Sequence, residues 1–172
     1  GLVFAAEPEK FAPALAAVGA TSTPVAKLLE ANPGSNLEVA FSRLAPDTVA
    51  KILFTSGSTG MPKGVINTQR MLCSNQQMIT QSLPSLRETP PVLVDWLPWN
   101  HTFGGNHNFG MVVYHGGTMY IDDGKPTPAL INETLRNLRE VAPTVYFNVP
   151  TGFEAIASAM KTDAALRKTF LS

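Results

Sequence analysis

Two apolar stretches, Val49–Phe54 and Val65–Ile66, enclose the ten residues TSGSTGMPKG (55–64). This segment constrains the chain more than any other. Ser56, Gly57, Ser58, Thr59 and Gly60 follow one another, with Thr55 before them and Lys63 after. Glycines let a backbone take positive φ and approach a ligand closely. Successive N–H groups in such a turn can converge on one anion. The hydroxyls add neutral donors and Lys63 a point charge suited to phosphate oxygens. A flexible Ser/Gly linker would not normally be held between two apolar strands, and a tight turn needs neither ten residues nor a lysine. The nucleotide P-loop pattern also fails: counted from Gly57, its second glycine falls on Pro62 and its Ser/Thr on Gly64.

The rest of the chain alternates short apolar runs with helical periodicity. Leu2–Ala6 reads as a strand, and Pro8–Val18 as a helix closed by Gly19. Val25, Leu28 and Leu29 suggest a further helical turn ended by Asn32, Pro33 and Gly34, and 35–48 reads as a loop with at most one strand. Asn67 or Thr68 can cap a helix running to Ser82. Val92–Leu97 is a strand, 98–105 a loop, Asn106–Tyr114 a helix stopped by Gly116 and Gly117, and Thr118–Ile121 a strand. Residues 122–126 form a turn, after which Thr127 caps a helix with Pro128 at its first position. Ile131, Leu135, Leu138 and Val141 line one face of that helix. Thr144–Val149 reads as a strand, and Phe153, Ile156 and Met160 mark a last helix. The order predicts a single α/β domain with a mainly parallel sheet flanked by helices.

Composition removes several function classes. Thirteen Lys+Arg balance thirteen Asp+Glu, which leaves no basic field for nucleic acid or an anionic membrane surface. No apolar run approaches the roughly 18 residues of a membrane span. The single cysteine, Cys73, excludes an internal disulfide and fits a reducing, cytoplasmic setting; it reads as inert.

The loop after Val92–Leu97 is the second candidate region, because open parallel sheets bind ligands beyond the carboxyl ends of their strands. His101, His107 and His115 are six and eight residues apart, spacings that match no helical metal-ligand pair; hydrogen-bonded or surface histidines are the simpler reading of the latter two. Asp122 and Asp123 suit a turn better than an acid/base pair. Trp96 and Trp99 read as packing residues. Asn106 and Asn108 read as caps of the following helix or as polar contacts to a ligand.

TSGSTGMPKG resembles, at all ten positions, the phosphate-loop signature of the adenylate-forming superfamily, which includes acyl- and aryl-CoA synthetases. Within it, DWLPWNHTFGGNHNFGMVVYHGGTMYIDDGKP (95–126) is similar to feruloyl-CoA synthases. The resemblance implies a carboxylate attacking the α-phosphorus of ATP, followed by transfer of the acyl group from the adenylate to coenzyme A. It assigns Thr55, Ser56, Gly57, Ser58, Thr59, Gly60 and Lys63 to the β- and γ-phosphates, with Thr59 nearest Mg2+ and with Thr59 and Lys63 as the catalytic pair. It puts His101 at the entrance of the acid pocket and Phe103 in its wall, for an aromatic, hydroxycinnamic substrate such as ferulate and a place in phenylpropanoid catabolism.

The family's aromatic-Gly-x-Thr-Glu segment, ribose-binding aspartate and carboxyl-terminal lysine have no counterpart here. The reading is therefore of a partial amino-terminal domain, inactive alone and prone to self-association through unpaired sheet edges. An acid–thiol ligase for another acid, or a non-catalytic nucleotide-binding module, are the competing readings.

Overall fold

The computed structural model describes residues 3–32, 34–55 and 60–171. The chain divides into two compact units, residues 1–44 and 45–172.

In the first unit, β1 (Phe4–Ala5) pairs in parallel with β2 (Thr23–Pro24), joined by α1 (Ala12–Ala17); α2 (Ala26–Leu29) and α3 (Asn36–Ser42) follow. The stop expected at Gly19 is there: its φ is +60°, its N–H bonds to Ala16 O, and Ala20 N–H bonds to Leu15 O. These two bonds satisfy carbonyls that the helix end would otherwise leave open. Residues 36–42 are helical, where the sequence suggested a loop or strand. Leu37 and Phe41 on that helix are exposed, so no burial pattern marks it.

The second unit opens with a hairpin. β3 (Val49–Thr55) runs antiparallel to β4 (Lys63–Thr68), pairing Phe54 with Gly64 and Thr55 with Lys63. The strand on each side of the Ser/Gly loop was expected; the antiparallel pairing departs from a mainly parallel sheet, because ten residues are too few for a helical crossover. Thr68 caps α4 (Gln69–Ser82), its Oγ1 accepting from Met71 N–H at 3.3 Å.

β5 (Val92–Asp95) then pairs in parallel with β6 (Thr118–Ile121). β5 ends before Leu97, because Leu97 N–H turns back to Asp95 Oδ1 at 3.1 Å. The segment expected as a loop at 98–105 turns helical at Thr102: residues Thr102–Phe109 form a wide π-type helix that continues as α5 (Gly110–His115). Gly116 stops α5 with φ +64°.

α6 (Ile131–Val141) starts later than Thr127, whose backbone carbonyl instead accepts from Leu130 and Ile131 N–H in a preceding turn. Residues 144–149 form no ladder. Thr144 exchanges two bonds with Val92, but Asn148 then bonds locally to Tyr146 Oη and Val149 N–H, which draws the segment out of strand pairing. α7 (Pro150–Thr162) and α8 (Ala164–Leu171) complete the unit, with Asp163 Oδ1 accepting from Leu166 N–H at 2.8 Å between them.

Ile79, Leu86, Leu93, Met111 and Val112 form the main core, which packs α4 and α5 against β5. Each such side chain contributes about 1.5–3 kcal/mol by leaving water. A second cluster joins Leu135 of α6, Ile156 of α7 and Leu166 of α8. No described helix is long and apolar enough to cross a membrane.

Candidate active site

The hairpin presents its tip where strand pairing ends. Thr55 is the last residue of β3 and Lys63, opposite it, the first of β4. Ser56, Gly57, Ser58 and Thr59 lie outside the described residues. Gly60 has φ +80°, and a Cβ built there would meet nothing within 4 Å. Glycine is thus required here by backbone conformation rather than by crowding from the described residues. Lys63 is exposed and has no ion-pair partner among the described residues. A free cation beside a positive-φ glycine is a donor set that fits a phosphate chain.

His101 occupies the N-terminal cap of the 102–109 helix. Its Nδ1 accepts from Phe103 N–H at 3.2 Å, which leaves the ring proton on Nε2, free to donate to an oxygen anion. Phe103 is half-buried and meets the His107 ring edge-on at 5.4 Å. A cleft of about 380 Å3 lies between the hairpin strand and the His101 turn. Phe54 enters it from β3, Trp96 and Pro98 from the turn after β5, His101 and Phe103 from the helix start, and Val149 from the segment before α7. One wall is therefore the hairpin strand that ends at Thr55, and the other is the His101 turn.

Glycines allow that turn its close approach. A Cβ on Gly104 would collide with the Pro98 carbonyl and lie 2.7 Å from that of Leu97; one on Gly105 would collide with the Trp99 carbonyl. The helix can fold back on the 97–99 backbone only without side chains there.

Beneath the turn lies a polar layer of which the sequence reading weighed Asn108, as a cap or a ligand contact, but not Asp95. Asp95 and Asn108 are buried, at 4% and 1% exposure. Burial pushes the Asp95 carboxyl above its ordinary range, the nearby Asp122 adds to this, and donors from Leu97, Asn108 and Trp96 pull the other way. Asp95 Oδ2 and Asn108 Nδ2 nonetheless complete no hydrogen bond: the Asn108 amide lies close enough to favour the anion but out of bonding geometry. Tyr146 is pushed up to about 12, chiefly by burial, with the Asn148 bond opposing and Asp122 and Asp95 adding. The one signal in the sequence was a lone acid inside the apolar run Val92–Leu97.

Asp122 is a turn residue: it accepts from Gly124 N–H, Thr134 Oγ1 and Asn137 Nδ2. His107 contacts Asn108 Oδ1 at 2.8 Å and His115 contacts Thr80 Oγ1 at 3.1 Å, both structural roles. Trp99 stacks on Phe109 at 4.8 Å, and Cys73 is exposed and free. Asn106 and Asn108 lie inside the helix rather than capping it. Among the described residues, no three His, Cys, Asp or Glu side chains are gathered to hold a metal ion.

Residues 5–172 match the model of the AMP-binding enzyme family. The chain is 30% identical over 139 residues to the long-chain-fatty-acid–CoA ligase ACSBG2 of Gallus gallus, covering 80% of this chain and 18% of that protein. In fold it is similar to ATP-bound MatB of Rhodopseudomonas palustris, with a TM-score of 0.60 and 26% identity, covering 90% of this chain and 30% of that one. A malonyl-CoA ligase with methylmalonyl-CoA and AMP bound gives a TM-score of 0.59 at 25% identity, over 71% of this chain and 25% of that one. The chain thus spans about a fifth of its curated relative's length. The glycine–lysine hairpin, the cleft it shares with His101 and these matches converge: the chain belongs to the AMP-binding enzyme family of acyl- and aryl-CoA synthetases.

Proposed function

We propose that the polypeptide carrying this chain is a cytoplasmic, ATP-dependent acid–thiol ligase whose substrate is an aromatic acid of the hydroxycinnamate type, such as ferulate. The observation that carries this reading is the cleft between Phe54, on the hairpin strand that ends at Thr55, and His101. Thr55, Gly60 and Lys63, with Ser56, Gly57, Ser58 and Thr59, would hold the β- and γ-phosphates of ATP. Thr59 would lie nearest Mg2+, which would supply charge neutralisation on those phosphates. His101 Nε2–H would orient the carboxylate, one oxygen of which attacks the α-phosphorus as pyrophosphate leaves. The coenzyme A thiol then attacks the acyl carbon and releases AMP. Positioning and charge stabilisation account for most of such catalysis. The flat aromatic walls, Phe103, Trp96 and Phe54, support a planar substrate.

A fatty acid is the second reading, favoured by the 30% identity to the Gallus gallus ligase. Thioester formation by the full native polypeptide with ATP, Mg2+ and coenzyme A separates the two. Ferulate or coumarate outpacing decanoate and palmitate upholds the aromatic reading. A preference for the fatty acids moves the substrate, and no thioester with any acid points to a non-catalytic nucleotide-binding module.

A further inference from the structure

The helix that carries Phe103 is fastened to the hairpin that carries Lys63 through a part-buried amide pair. Asn67, in β4, is 6% exposed. Its Oδ1 accepts from Asn106 Nδ2 at 2.8 Å, while its own Nδ2 donates to Val65 O at 3.0 Å. The backbone carbonyl of Asn106 accepts in turn from Gln76 Nε2 at 2.6 Å and Asn75 Nδ2 at 3.3 Å, both on α4. Gln76 is buried, and a Cβ on Gly110 would come within 2.6 Å of its Nε2. Three elements therefore meet at Asn106, midway along the wide helical stretch, where side chains inserted into the backbone ladder are a known cause of distortion.

These amides do not line the cleft beside His101. Nor do they look like a device for stability, since Gln76 Oε1 and Asn106 Oδ1 are buried with no donor, and unmet polar groups are costly. What the arrangement fixes is register. Asn67 stands four residues beyond Lys63, about 13 Å along the strand, and Asn106 five residues beyond His101.

We propose that Asn67 and Asn106 are positioning residues that couple the hairpin to the 102–109 helix, so that order imposed on β4 by nucleotide phosphates reaches the helix bearing the acid-side groups. The catalytic consequence rests on the ligase reading above; the coupling itself does not. Linked sites must affect one another reciprocally.

The test follows amide hydrogen exchange of residues 102–109 in the full native polypeptide, with and without Mg-ATP, alongside the KM for ferulate in ATP–pyrophosphate exchange. The wild type should show slowed exchange at 102–109 on adding nucleotide. Asn67→Leu should lose most of that slowing and raise the acid KM about 5- to 10-fold, the loss of one hydrogen bond, with kcat within about twofold. Asn67→Asp, which keeps the acceptor, should restore both. If Asn67→Leu fails to fold, Asn106→Ser, too short to reach β4, gives the same readout. Equal nucleotide protection at 102–109 in Asn67→Leu, or none in the wild type, overturns the coupling. Nucleotide protection that depends on Asn67, in a protein without acid-dependent exchange, upholds the coupling and sinks the ligase reading instead.

Discussion

The hairpin and the α4–β5–α5 core differ in what their sequence has to satisfy. On β3 and β4 most side chains are exposed, Phe54 at 72% and Ile66 at 53%, and the notable features are backbone and charge: a glycine at φ +80° and a lysine with no ion pair among the described residues. In the core, Leu93 and Met111 are 1% and 0% exposed, and Gly104 and Gly105 beside it matter through crowding rather than φ. The hairpin is therefore where residues can be specialised for a ligand at little cost to folding, while the core holds the second wall of the cleft in place.

Four substitutions and one titration can break or sharpen that contrast. Leu93→Ala should lower unfolding free energy by about 3–4 kcal/mol through lost burial and a cavity, read from the urea midpoint. Gly105→Ala should cost about 2–3 kcal/mol, because the new methyl meets the Trp99 carbonyl. The same change at Gly60 should cost no more than about 1–2 kcal/mol, its backbone strain alone; equal losses at the two glycines would erase the distinction. Lys63→Ala should leave the urea midpoint unchanged and slow adenylation about 10- to 100-fold, the worth of one charge-assisted contact.

The titration concerns Asp95. Its folded pKa is raised, so the native state binds more protons than the unfolded chain between the ordinary carboxylate range and the raised value. Stability should accordingly fall as pH rises through that window and level off above it. Asp95→Asn should flatten this part of the profile, and an unchanged slope would show that the carboxyl does not titrate on folding. Asp47 and Asp163 are held low, the first by the Arg70 bond and the second chiefly by the Leu166 N–H. Both act at lower pH and in the opposite sense.

How much was legible follows the same division. The two strands that flank the Ser/Gly segment could be read because their pattern is local, written in consecutive residues. Gly19 and Gly116 could be read because a helix stop needs only one residue type. The helical start at Thr102 could not, since Gly104 and Gly105 look like loop residues until the Leu97–Trp99 carbonyls are seen against them. The missing ladder at 144–149 was equally hidden, because Asn148 turning back to Tyr146 is a contact between side chains, not a pattern. The Asn67–Asn106 pair joins residues 39 apart, and no single-sequence periodicity reports such a pairing.

The central claim is that Lys63, at the end of the hairpin, and His101, in the cleft beside the hairpin strand, serve one adenylation. Acid-dependent exchange of pyrophosphate into ATP tests it most directly, on the full native polypeptide and its Lys63→Ala and His101→Ala variants. The account predicts exchange that requires an added acid, weakened at least about tenfold by either substitution while ATP still binds. Exchange indifferent to both substitutions, or none with any acid despite bound ATP, would contradict it.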